Sequence, residues 1–147
     1  MHEHNLIEFV RANPIGVLST LGEEGMASAA VYYMADLDGT IYFNTKRDSR
    51  KFQNLLKNPE VTFTAFQHEP AMTLQVKGVA EVVEDISQIE KTYAELLHRI
   101  FENKTIPPIL QLGIGMVELV KITPTWMRLG SFSHDQNGDQ PFTMIVG

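Results

Sequence analysis

Two consecutive stretches with a period of two constrain this chain more than any other feature. Val61, Phe63 and Ala65 alternate with Thr62, Thr64 and Phe66. Beyond the turn residues His68-Glu69-Pro70, the run from Met72 to Val83 sets Met72, Leu74 and Val76 against Thr73, Gln75 and Lys77. Successive side chains of a strand point to opposite faces, so this pattern predicts two adjacent antiparallel strands. Gly78 interrupts the second run, and a residue without a side chain inside a strand marks a bulge or the close approach of another backbone.

The rest of the chain is built of short elements separated by turn residues. A helix is expected from about Glu3 to Ala12, with Leu6, Ile7, Phe9 and Val10 on one side and Asn13-Pro14 as its stop. Ile15 to Thr20 and Met26 to Met34 read as a hairpin around Gly22 to Gly25, and Asp36 to Gly39 turns the chain into a third strand, Thr40 to Asn44. A helix from Ser49 to Lys57 buries Phe52, Leu55 and Leu56, and Asn58-Pro59 ends it. After Val83 a longer helix from about Ser87 to Phe101, capped by Ser87 with Glu90 three residues on, carries Ile89, Tyr93, Leu96, Leu97 and Ile100 on one face.

A short helical turn is expected around Ile109 to Leu112. Met116 to Thr123 alternates as a last strand closing at Pro124, and Gly130 to Gln140 reads as a mobile tail before a small apolar end. Gly113 and Gly115 lack the flanking strand and helix of a dinucleotide fingerprint. Six strands with only three helices predict a mainly β fold, an antiparallel barrel with flanking helices. At 147 residues, 44% of them hydrophobic, residues 1–147 fit one domain with a real core.

Charge supplies the main functional clue. The formal net charge is −6, yet between Lys46 and Lys57 five of the twelve basic residues (Lys46, Arg47, Arg50, Lys51 and Lys57) face a single acid, Asp48. Such a cluster at a helix start is either a solvated helix end or a phosphate site. A serine cap, free N–H groups and the positive end of the helix dipole would together receive an anion. The acidic balance elsewhere argues against nucleic acid as a partner. The chain has no cysteine, its first residues do not read as a signal peptide and no segment approaches membrane-spanning length, so a cytoplasmic protein away from the membrane is expected. The five histidines show no ligand spacing, so no metal is expected, and no catalytic triad can be traced. Tyr32 and Tyr33 are adjacent, so one of them faces the core or an interface. Both faces of Met26 to Met34 are apolar, which predicts a partner against one of them.

The run FNTKRDSRK, followed by NLLKNPEVTFTAF and MTLQVKGVAEVVED, resembles the FMN-binding split β-barrel superfamily, the pyridoxamine 5'-phosphate oxidase-like proteins, and especially their general-stress-protein branch. The resemblance covers roughly Phe9 to Trp126. It implies a six-stranded, Greek-key-like split barrel that binds FMN and passes electrons between small-molecule donors and acceptors. The phosphate would be held by Thr45, Ser49, Arg50 and Lys51. It further implies that Ala29, Ala30, Val31 and Tyr32 run along the flavin edge with their backbone, and that Asn44, Thr73 and Gln75 supply polar contacts. A homodimer would hold the flavin between its subunits. Trp126 would either stack near the cofactor or anchor the C-terminal segment. The chain departs from the oxidases proper in having Ala29 where they have an arginine, and in lacking an Arg-x-His after the tryptophan. Vitamin B6 oxidation is therefore the less expected activity. A non-catalytic flavin-binding or stress-related protein, or a member using a deazaflavin or haem, is the alternative.

Overall fold

The alternating runs close on themselves because each strand has one apolar face to bury and no second sheet to bury it against. The computed structural model describes residues 2–102, 117–131 and 143–146. Its elements are α1 (His2–Ala12), β1 (Ile15–Gly22), β2 (Gly25–Ala35), β3 (Ile41–Lys46), α2 (Arg50–Lys57), β4 (Glu60–Gln67), β5 (Met72–Val82), α3 (Ile86–Glu102), β6 (Val117–Ser131) and β7 (Thr143–Val146). All pairings are antiparallel, in the order β3-β2-β1-β4-β5-β6-β7, and β3 also pairs with β6 to close a six-stranded barrel. The spatial order of the first four strands, β3-β2-β1-β4, is that of a Greek key.

The inward residues of all six strands form one core, including Leu18, Tyr33, Phe43, Phe63, Leu74, Ile122 and Leu129. Tyr33 and Phe63 stack at a tilt with ring centroids 4.6 Å apart. Leu6, Phe9 and Val10 of α1 and Phe52 and Leu55 of α2 join the same cluster. The two helices close opposite ends of β1. Asn13, just after α1, donates to Gln67 at the end of β4, whereas Asn54 of α2 donates to Thr20 near the end of β1.

A second, smaller cluster lies outside the barrel, where Ile89, Tyr93 and Leu96 of α3 cover Tyr32, Met34, Tyr42 and Leu119. The second apolar face of β2 is therefore covered at its C-terminal half by the chain's own α3, while Met26, Ser28 and Ala30 remain exposed.

Gly78 fulfils both expectations at once. The β5–β6 register shifts between Lys77 and Gly78, and a Cβ at Gly78 would stand 2.5 Å from the Thr123 carbonyl oxygen. Three sequence expectations are corrected. The last strand does not close at Pro124 but continues to Ser131, because the proline falls at that register shift and Met127 and Leu129 resume the inward alternation beyond it. Leu56, expected to be buried with Phe52 and Leu55, is 54% exposed, and beyond Gln140 the chain's apolar end includes β7, which pairs with Met127 to Gly130 of β6. The cap of α3 is Asp85 rather than Ser87, its carboxylate accepting from the N–H groups of Ser87 (2.9 Å) and Gln88 (3.4 Å). The turn expected at Ile109 to Leu112, and most of the stretch read as mobile, lie outside the described residues.

Candidate functional site

The barrel is split where β2 and β3 part. β2 pairs with β1 along Gly25 to Tyr32, but with β3 only from Tyr33 to Ala35. From Asn44 to Lys46, β3 is paired to β6 alone. Among the described residues, no strand borders the other edge of β2 between Gly25 and Tyr32. Backbone N–H and C=O groups along such an edge need partners, so it is a place for a ligand with matching polar atoms. Ala29, Ala30, Val31 and Tyr32 all lie on it. Their side chains diverge: Val31 is buried in the core, Ala30 is exposed and Tyr32 packs against α3's cluster.

The start of α2 lies beside the hairpin end of that edge, where Asp48 and Arg50 line one cleft with Gly25, Met26 and Ala27. Ser49 is the helix N-cap, with extended backbone (φ −72°, ψ 149°), and its Oγ accepts from the Phe52 N–H at 3.3 Å. The same hydroxyl donates to the Lys46 carbonyl oxygen at 2.8 Å. Its one proton being committed there, the 2.9 Å contact with Thr45 has the Thr45 hydroxyl as donor. Ser49 and the fully buried Thr45 thus hold the turn rather than reach outward. The groups left to face an anion are the first N–H groups of the helix, at Arg50 and Lys51, and the two side chains.

Of the five clustered cations, three have acidic partners. Arg47 pairs with Glu118 across β3 and β6, Lys57 with Glu23 at 3.0 Å, and Arg50 loosely with Glu24 at 3.6 Å. Lys46 and Lys51 have no ion pair among the described residues. Burial, and secondarily the charge of Lys46, hold the Lys51 ammonium below the ordinary lysine pKa. A half-buried cation near a like charge would be stabilised by an anion.

Asn44 adds a second unsatisfied group. It is 6% exposed, and its Nδ2 is buried without a hydrogen-bond partner among the described residues. It follows Phe43 on β3, so extending the β2–β3 register one step beyond Tyr33↔Phe43 sets it opposite Tyr32, where the strands separate. Buried amides are normally paired, and an orphan at the mouth of a split fits a group received from elsewhere.

Thr73, Gln75 and Trp126 are not brought to this cap. Along the register Ala30↔Val17↔Thr64↔Gln75↔Arg128, Gln75 lies three strands from β2, about 14 Å along the sheet at ordinary strand spacing. Thr73 shares its face and donates to the Ala65 carbonyl oxygen at 3.4 Å. Trp126 lies opposite Lys77 on the outside of β6 and is 37% exposed, while its inward neighbour Met127 is fully buried in the core. These outward positions belong to an exposed face that also carries Ile15, Val17 and Phe66.

The open edge of β2, the pairing of Glu23 and Glu24 with α2, and the nearness of Lys46 to Lys51 were scarcely legible in the sequence. Only the adjacent acids in the first hairpin turn hinted at the second. Among the described residues, no group of side chains could hold a metal ion and no helix is long and apolar enough to cross a membrane.

A closed six-stranded Greek-key barrel, with β2 and β3 parting beside a cationic helix cap, defines a split barrel. The chain belongs to the pyridoxamine 5'-phosphate oxidase family, whose sequence pattern it matches over residues 3–130. Among solved structures it is similar to a conserved hypothetical protein from Mycobacterium tuberculosis (26% identity, TM-score 0.72, covering 88% of this chain and 84% of that one). It is also similar to general stress protein 26 from Bacillus anthracis (22%, 0.68, 99% and 100%) and to an F420 reductase (20%, 0.65, 84% and 94%). No curated protein matches the sequence.

Proposed function

We propose that this protein binds FMN in the split and acts as an oxidoreductase through it. The observation that carries the reading is the α2 cap, whose Lys46 and Lys51 have no ion pair among the described residues, beside the open edge of β2. The residues fit the group. The Arg50 and Lys51 N–H groups and side chains suit a phosphate, the β2 edge from Ala29 to Tyr32 suits the polar rim of a flat ring, and such a rim would provide the partner that the Asn44 amide lacks among the described residues. Bound flavin would supply hydride and electron transfer, and the chain supplies binding, orientation and exclusion of water. No side chain of this site is required as acid or base.

A homodimer completes the reading. The exposed sheet face carries Ile15, Val17, Phe66 and Trp126, apolar surface that a second copy would cover, and such a copy would bring Thr73 and Gln75 of that face to a flavin held at the other subunit's cap. The departures at Ala29 and after Trp126 leave the substrate side without the cationic grip a phosphorylated pyridoxine needs, so pyridoxamine phosphate is expected to be a poor substrate.

Titration with FMN and riboflavin tests the phosphate assignment, and equal affinity for the two would overturn it. On the FMN-loaded protein, bleaching of the flavin band by NADH or NADPH without oxygen tests turnover. An unresponsive flavin would leave a flavin-binding protein without this activity.

A further inference from the structure

The split does not end at the helix cap. Beyond Arg50 it opens into a cleft of about 460 Å³ between the β1–β2 turn and α2, a size typical of small-molecule sites. Arg50, Gln53, Asn54 and Lys57 follow the i, i+3, i+4, i+7 spacing of one helix face, and that polar face lines the cleft. The opposite wall is the hairpin turn and the start of the unpaired β2 edge, Gly22 to Ala27. Arg50 lines the cleft and begins the anion site, so a group in the cleft would be continuous with a phosphate at the cap.

The chemistry of the walls selects what that group is. Glu23, Glu24 and Asp48 are acceptors. Gln53 donates one amide N–H to the Arg47 carbonyl oxygen (2.8 Å) and Asn54 donates one to Thr20 Oγ1 (3.1 Å), which leaves each with its carbonyl oxygen as acceptor and one further N–H as donor. The two cations, Arg50 and Lys57, are matched to Glu24 and Glu23 in exposed pairs that are weakly held and open readily. Three carboxylates against two cations repel a polyanion and favour a neutral group rich in hydroxyl and amino donors. A ribose with an amino-bearing base has that character.

On the flavin reading above, the geometry points to a flavin dinucleotide as a ligand of this site. Its isoalloxazine half would lie along β2, its pyrophosphate at the α2 cap and its nucleoside in the cleft between α2 and the Glu23-Glu24 turn. The same acidic cleft disfavours a deazaflavin bearing an oligoglutamate tail.

The test is equilibrium binding of FMN, FAD and F420 to the purified full-length protein, followed by flavin fluorescence. FAD should bind within about threefold of FMN or tighter, and F420 at least about tenfold more weakly, where tenfold corresponds to about 1.4 kcal/mol. Lys57→Trp fills the cleft from an exposed position at the end of α2 away from the cap. It should weaken FAD at least about tenfold while FMN stays within about threefold, with Met26→Trp as a second filling variant should the first not fold. FAD more than about tenfold weaker than FMN in the unaltered protein, or both nucleotides weakened alike by the filling variants, would overturn the inference and leave FMN binding standing. Failure of every flavin to bind would instead overturn the reading on which it rests.

Discussion

Replacing Lys51 by methionine should move two properties in opposite directions. The side chain is half-buried, has no acidic partner among the described residues and stands near Lys46, which together depress its pKa. Methionine keeps the apolar stem and removes the charge, so the ligand-free variant should be at least as stable as the parent. In the parent, the penalty for burying the ammonium is complete below its lowered folded pKa and disappears as pH rises to the ordinary value of 10.5. The stability gap between variant and parent should therefore shrink across that window.

Ligand binding should respond with the opposite sign. Losing one charge-assisted hydrogen bond costs about 1.5–3 kcal/mol, roughly a 10- to 150-fold rise in the Kd for FMN. At a ligand concentration about one hundred times the parent Kd, FMN should stabilise the parent by about 2.7 kcal/mol and a thirtyfold weaker variant by about 0.9 kcal/mol. Thermal unfolding with and without FMN, together with a direct titration, reads both effects. A variant that is less stable without ligand and binds FMN as tightly as the parent would refute the reasoning, because Lys51 would then be an ordinary packing residue.

Further outcomes follow from the same structure. Gly78→Ala should destabilise the barrel by about 1–3 kcal/mol in urea unfolding, since the new methyl meets a backbone oxygen that cannot move without shifting β6. A neutral result would mean that the β5–β6 shift is looser than drawn. Burial first, then the hydrogen bond to Asp36 and the charges of Asp36 and Asp38, push the Tyr42 hydroxyl up to about 12. Because the folded pKa is raised, its contribution is complete below the ordinary tyrosine value of 10.0 and is lost as pH rises towards 12. Tyr42→Phe should accordingly cost about 0.5–1.5 kcal/mol at neutral pH and less above the folded pKa, and an undiminished cost there would discount the Asp36 bond. Val17→Arg, placed at the middle of the exposed sheet face, should turn a dimeric sedimentation profile into a monomeric one and weaken FMN binding with it. A monomeric parent carrying FMN would refute the shared groove.

The sequence by itself determined the elements and the cap. Strand alternation from Val61 to Val83 is a local property of the pleated backbone, and Ser49 before Arg50 and Lys51 reads as a helix start because capping involves only neighbours in sequence. Gly78 was legible for a similar reason, a strand interior rarely lacking a side chain without cause. Where a competing local rule intruded, the sequence misled. Pro124 suggested a strand end, and only the register shift opposite Gly78 shows how β6 passes it; Ser87 offered a plausible cap, and Asp85 was better placed to take two N–H groups. The site was decided by tertiary structure. The parting of β2 from β3 after three paired residues is a matter of register, fixed by barrel closure of β3 on β6, and no residue on either strand announces it. Charge pairing is equally non-local. Five cations adjacent in sequence are sorted by partners from the first hairpin and from β6, so that Lys46 and Lys51 alone are left without a counterion among the described residues.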